Sequence, residues 1–123
     1  MRPAGGSKQI GKWGEEAAAH YLVSRGITIL ERNFHIRQAE IDIIARDGDV
    51  LVFVEVKTGR TTSFGQPETW VDQKKQRKIA LAAQAYLQIH DIQDVDCRFD
   101  VIAIQLKQDG THIRHIKDAF WLE

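Results

Sequence analysis

Apolar residues recur at three- and four-residue spacing from Ile10 through Trp13, Ala17, Ala18 and Tyr21 to Leu22, which predicts an amphipathic helix that Gly26 terminates. Ile27 to Asn33 reads as a strand. The run Val50-Leu51-Val52-Phe53-Val54 and the segment opening at Glu40 predict a hairpin from Glu40 to Lys57 around an Asp47-Gly48 loop. Thr58 to Gly65 is polar and punctuated by glycine, as a loop would be. Pro67 suits the first turn of a second helix running to about His90. An acidic connection, Asp91 to Asp96, leads to a strand from Arg98 to Gln105, and Thr111 to Ile116 forms another after the Asp109-Gly110 turn. The order α-β-β-β-α-β-β predicts an α/β fold, a central mixed sheet covered by helices.

The hairpin carries the most informative chemistry. Strand side chains alternate, so Leu51, Phe53, Glu55 and Lys57 share one face of the second hairpin strand. A two-residue Asp47-Gly48 loop would pair Arg46 with Asp49, Asp42 with Phe53 and Glu40 with Glu55. Asp42 then lies diagonal to Glu55, close enough for two carboxylates to meet one cation. Mg²⁺ takes such hard oxygen donors and keeps several waters. It polarises a phosphoryl oxygen and acidifies bound water, while Lys57 can orient that water or offset developing charge. Glu40 is a further candidate ligand beside Asp42 and Glu55. The alternative is an edge-strand salt bridge from Lys57 to Glu55 or Asp42. Acidic-x-Lys alone discriminates little, since about one match is expected by chance, and Asp72-Gln73-Lys74 is a second copy in a helical context.

A chain of 123 residues fits one domain, residues 1–123, with 1–7 as a flexible N-terminus. Formal charge is zero, so nucleic-acid binding would need local patches. The single Cys97 cannot form an internal disulfide and reads as a packed residue. With no apolar signal core and no run able to span a bilayer, the chain reads as cytoplasmic.

The second helix sets Lys75 in a stripe with Val71, Ile79, Ala82, Ala83 and Tyr86. Its ammonium either snorkels to water or contacts a phosphate. Lys74, Arg77 and Lys78 surround it, a basic patch able to follow a nucleic-acid backbone, and Arg60 is another candidate phosphate clamp. In the first helix Glu15 lies beside the apolar stripe, whereas Glu16 reads as surface. His112 and His115, three apart on a strand, face opposite sides and cannot share a zinc ion there. Trp13, Trp70 and Trp121 read as core or interface residues.

Nearly the whole chain resembles the bacterial YraN-like family. The resemblance rests on Gly14-Glu15, Gly26, Asn33, Glu40-Ile41-Asp42-Ile43-Ile44-Ala45, Phe53-Val54-Glu55-Val56-Lys57, Phe64-Gly65, Lys75 and Arg98-Phe99-Asp100-Val101-Ile102. Ala39 stands where that pattern usually has glycine, which suits any backbone not needing positive φ. The family is in turn similar to archaeal Holliday-junction resolvases and the PD-(D/E)XK nucleases. That likeness implies a restriction-endonuclease-like fold, Asp42 and Glu55 as metal ligands, Lys57 as catalytic lysine and Glu15 as the first-helix carboxylate. The expected function is a Mg²⁺- or Mn²⁺-dependent endonuclease on DNA, branched or otherwise structured. A resolvase-like enzyme would act as a homodimer, because two strands must be cut symmetrically. The alternative is a nucleic-acid-binding or scaffold protein that keeps the fold without cleaving.

Overall fold

The computed structural model describes residues 7–59 and 71–120. Arg60, Phe64, Gly65, Pro67, Trp70, Trp121 and residues 1–6 of the expected flexible N-terminus lie outside the described residues. Helix α1, Ser7–Ser24, ends as its sequence dictates: Gly26 adopts φ 80°, and the N–H groups of Gly26 and Ile27 return to the carbonyls of Val23 and Leu22, each at 3.0 Å. Strands β1 (Thr28–His35), β2 (Glu40–Asp47) and β3 (Val50–Gly59) follow, then helix α2 (Gln73–Ile89), β4 (Asp96–Lys107) and β5 (Gly110–Ile116). The strands lie in sequence order in one sheet. Every neighbouring pair is antiparallel except β3 and β4, which are parallel and joined through α2. The expected mixed α/β sheet flanked by helices is therefore what forms.

Each helix covers one face. Ala18, Ala19 and Leu22 of α1 pack with Ile43, Ala45, Val52, Val54, Ile102 and Ile104. Ile79, Ala82, Ala83 and Tyr86 of α2 pack with Ile44, Leu51, Phe53, Val101 and Ala103. Burial on both faces explains why the central strands read as continuous apolar runs instead of alternating ones.

Three local expectations are corrected. The second helix begins at Gln73, not in the region of Pro67: Asp72 caps it, its Oδ1 accepting the Lys75 N–H at 2.8 Å. The second acidic-x-Lys copy thus spends its aspartate on a helix terminus. Thr58 and Gly59, expected in a loop, continue β3 and pair with Ile104 and Gln105. Cys97 is exposed, not packed, its Sγ 3.7 Å from the Val95 carbonyl.

The hairpin loop also moves by one residue. Gly48 and Asp49 form the turn and Asp47 pairs with Val50. Gly48 takes φ 62° at the first loop position, where a type II′ turn wants glycine, and Asp49 keeps negative φ, which excludes type I′. The register shifts by two, an even number, so face assignments survive. The pairing ends at Ile43 and Val54, which leaves Asp42 and Glu55 as the next residue on each strand instead of a diagonal pair within the ladder.

Candidate active site

Strands β2 and β3 pair from the turn only as far as Ile43 and Val54. Beyond that point β2 continues against β1, down to Glu40 opposite His35, while β3 continues against β4 to Gly59. The two strands therefore separate, and Asp42 and Glu55 stand at the fork. Asp42 bridges it with its side chain: Oδ2 accepts the Val56 N–H at 2.7 Å, replacing a strand carbonyl.

Backbone irregularity places Asp42 there. Ile41 packs on the α2 side and Ile43 on the α1 side, although residues two apart in a regular strand share a face. On β1, Phe34 joins the α2-side core, whereas Arg32 reaches α1 through a 2.8 Å ion pair with Glu16. Asn33, with φ 55°, lies between them. Both strands change face at this point, so Asp42 is accessible to groups from both helices.

From the α2 side, Glu55 is nearly buried and Lys75 Nζ lies 3.4 Å from its Oε2. Burial first, then a hydrogen bond and the negative charge of Asp42, push the Glu55 carboxyl up to about 9, against the opposing influence of Lys75. At neutral pH Glu55 thus keeps its proton. From the α1 side, half-buried Glu15 is also raised, by burial and by the charge of Asp42, with Glu40 adding to it and Arg32 opposing. Lys57 is half-buried, and strand alternation puts it on the Glu55 side, since Val56 packs toward α1 and Thr58 meets Gly14 of α1.

Gly14 explains how α1 approaches so closely. A Cβ at this position would overlap Thr58 Oγ1 and lie 2.8 Å from its Cγ2. A mid-helix glycine costs about 1 kcal/mol relative to alanine, a signal that its backbone must touch something. The contact brings Glu15, the next residue, to the fork. Glu16 stays on the surface with Arg32, as its position in the stripe suggested.

Lys75 settles into neither a purely snorkelling nor a purely phosphate-directed role, because it is tied to Glu55. Lys74 and Lys78 are exposed on the same helix. Glu40 is exposed, and its charge reaches Glu15. Ala39 does not need positive φ, so the absent glycine is of no consequence. Among the described residues no three His, Cys, Asp or Glu side chains form a ready cage for a metal. The donor chemistry of the Asp42–Glu55 pair nevertheless fits a hard divalent cation that keeps most of its waters and would displace the proton held on Glu55.

A second polar network was not anticipated. Asp100, fully buried on β4, accepts Arg98 Nε at 2.9 Å, His115 Nε2 at 2.7 Å and the Asp118 N–H at 3.0 Å. His115 Nδ1 lies 3.2 Å from the Tyr21 hydroxyl, and Arg98 also reaches Asp47 at 3.0 Å. Burial alone would raise the Asp100 pKa, but His115, Arg98 and the Asp118 amide outweigh it and hold the carboxyl low. Arg98 and Asp47 lie toward the hairpin turn while Asp100 pairs with Val54 next to the fork, so this network pins α1, β2, β4 and β5 together behind the site. The pairing of Arg98 with Asp100 at i, i+2 on one strand face was its only local trace.

Comparison with known proteins places the chain in a family. The model of the "Uncharacterised protein family UPF0102" matches residues 14–104, from the close-packing glycine to the core of β4. The chain belongs to that family. It is similar to the UPF0102 protein of Syntrophus aciditrophicus (strain SB), 49% identical over 114 residues that cover 93% of this chain and 90% of the relative. It is also similar to that of Chlorobium chlorochromatii (strain CaD3), 46% identical over 129 residues covering 100% and 99%. The relative from Geotalea daltonii (strain DSM 22248 / JCM 15807 / FRC-32) is 51% identical over 116 residues, covering 93% and 91%. Family membership thus spans the whole site. Among the described residues no helix is long and apolar enough to cross a membrane.

Proposed function

We propose that this chain is a Mg²⁺- or Mn²⁺-dependent endonuclease that hydrolyses phosphodiester bonds in DNA, with branched or otherwise structured DNA as the substrate class its resolvase-like pattern suggests. The observation that supports it most is the fork itself, where Asp42 and Glu55 meet at the end of an apolar sheet with Lys75 paired to Glu55 and burial holding the Glu55 carboxyl high. Asp42 and Glu55 would hold the cation, which would polarise a phosphoryl oxygen and acidify bound water. Lys57, half-buried on the Glu55 side, supplies positive charge toward the reacting phosphate or orients the water. Glu15, whose carboxyl is held above the ordinary carboxylate range, is suited to accept a proton. Lys74, Lys75 and Lys78 offer phosphate contacts along α2, with Arg60 as a further candidate. A homodimer would place two such sites for cutting two strands.

A second reading is favoured by the Lys75 ion pair. The Lys75 ammonium and the raised Glu55 carboxyl offset negative charge at the fork without a metal, as a nucleic-acid-binding protein that keeps the fold but does not cleave would require. Cleavage of linear, nicked, flapped and four-way DNA with Mg²⁺ or Mn²⁺, alongside calorimetric Mn²⁺ titration, separates the two. A nuclease loses both activity and metal binding in Asp42→Asn and Glu55→Gln, and loses turnover but not metal binding in Lys57→Ala. Wild-type protein that binds no divalent ion, or activity that persists in the Asp42→Asn/Glu55→Gln double variant, would defeat the enzyme reading.

A further inference from the structure

Beside the fork lies a cavity of about 400 Å³ between the β1–β2 turn and the first turns of α2. The turn is held by the Ile36 N–H donating to the Ala39 carbonyl at 2.8 Å. Ile36, Ala39 and the buried Ile79 supply an apolar floor, while His35, Gln38, Lys78 and, on the side of the fork, Glu40 are exposed around it. Lys75, the residue tied to Glu55, lines the same cavity, so its mouth adjoins the carboxylate pair.

The combination is specific. A backbone-tracking groove needs cations and no apolar floor, whereas a purely apolar cleft would not be rimmed by two lysines and an amide. A small apolar floor inside a mostly polar rim suits a small flat ligand with polar edges. Gln38 can donate and accept at once, which matches the edge of a heterocycle, and Lys75 and Lys78 match a phosphate. A base within a duplex cannot offer both its face and its pairing edge to such a pocket.

We infer that the cavity bounded by Ile36, Gln38, Ala39, Lys78 and Ile79 receives one unpaired nucleobase, with Lys75 and Lys78 on the adjoining phosphate, so that the chain selects nucleic acid carrying an unstacked nucleotide at the Asp42–Glu55 fork. The inference rests on the nuclease reading only for the phosphate lying at the fork; occupancy of the pocket is independent of cleavage. An unpaired base enters at least cost because it has already given up stacking and pairing.

The test uses methyl NMR of the full chain in chelator, without metal. Deoxyadenosine 5′-monophosphate should produce ring-current shifts at the Ile36 and Ile79 methyl groups. It should bind at least about fivefold more tightly than deoxyribose 5-phosphate, the gain expected from covering about 40 Å² of base face. A duplex with a single unpaired adenine should give the same shifts, and the fully paired duplex should not. Lys78→Ala, at an exposed position, should weaken all these ligands while preserving the fold, and Ala39→Leu, which fills the cavity, should abolish the base-dependent shifts. Equal affinity for the baseless sugar phosphate, or equal shifts with paired duplex, overturns the inference. Shifts with the mononucleotide and with neither duplex overturn it in favour of a free-nucleotide site. Since no outcome depends on cleavage, a chain that cuts DNA can fail this test and an inactive chain can pass it.

Discussion

Asp42 accepts the Val56 amide at 2.7 Å across a fork where the two strands have ceased to exchange backbone hydrogen bonds. One carboxylate therefore has two tasks: one oxygen completes the sheet, and the group as a whole forms the Glu55 pair. Asp42→Asn keeps an oxygen that can accept the amide, whereas Asp42→Ala leaves the half-buried Val56 N–H without one. Asp42→Ala is expected to be less stable than Asp42→Asn by about 1–3 kcal/mol. Urea unfolding measures the difference, and equal midpoints would mean that water replaces the side chain at no cost.

Glu55 makes stability depend on pH in a direction unusual for a carboxylate. Its folded carboxyl keeps a proton up to about 9 against an ordinary 4.5, so the folded state binds more protons throughout that window. The contribution of Glu55 to stability falls as pH rises from 4.5 toward 9. Glu55→Gln removes the ionisation, and should stabilise the metal-free chain by on the order of 1–3 kcal/mol at pH 8 while changing little near pH 4. Unfolding in chelator at the two pH values checks it; a gain of the same size at both would remove the proton from the account.

Gly14→Ala sets helix propensity against packing. Alanine favours the helix by about 1 kcal/mol, but its Cβ would overlap Thr58, and overpacking typically costs about 1–3 kcal/mol. The variant should be destabilised, and it should be less so in a Thr58→Gly background, where the obstructing side chain is gone. Additive effects in a double-mutant cycle of unfolding free energies would show that α1 does not rest on Thr58.

Lys75 is expected to act on both ligands of the site. Its ammonium lies 3.4 Å from Glu55 and opposes any cation placed there, so Lys75→Ala should tighten Mn²⁺ binding. The same change should weaken nucleic-acid binding and flatten its salt dependence by up to about one unit of slope. Calorimetry and binding at several salt concentrations read the two effects. A substitution that alters stability alone would reduce Lys75 to a packing residue.

Periodicity alone established the seven elements, the two apolar helix stripes, the Gly26 stop, and the placement of Asp42, Glu55 and Lys57 on one hairpin. These are local properties: 3.6-residue and two-residue repeats and the φ demands of glycine act over a few positions. The hairpin register was out by two residues because Asp47-Gly48 can enter a turn in either of two ways, and the even shift kept the face assignment of the paired residues. Everything joining elements distant in the chain was decided by tertiary structure. No local pattern announces that β2 and β3 part after Ile43 and Val54, that Lys75 turns to Glu55, or that His115 joins Tyr21 to Asp100. Those relationships arise when two helices close on opposite faces of one sheet, since burial then forces each stranded charge to find its counterpart from whichever segment the packing brings within reach.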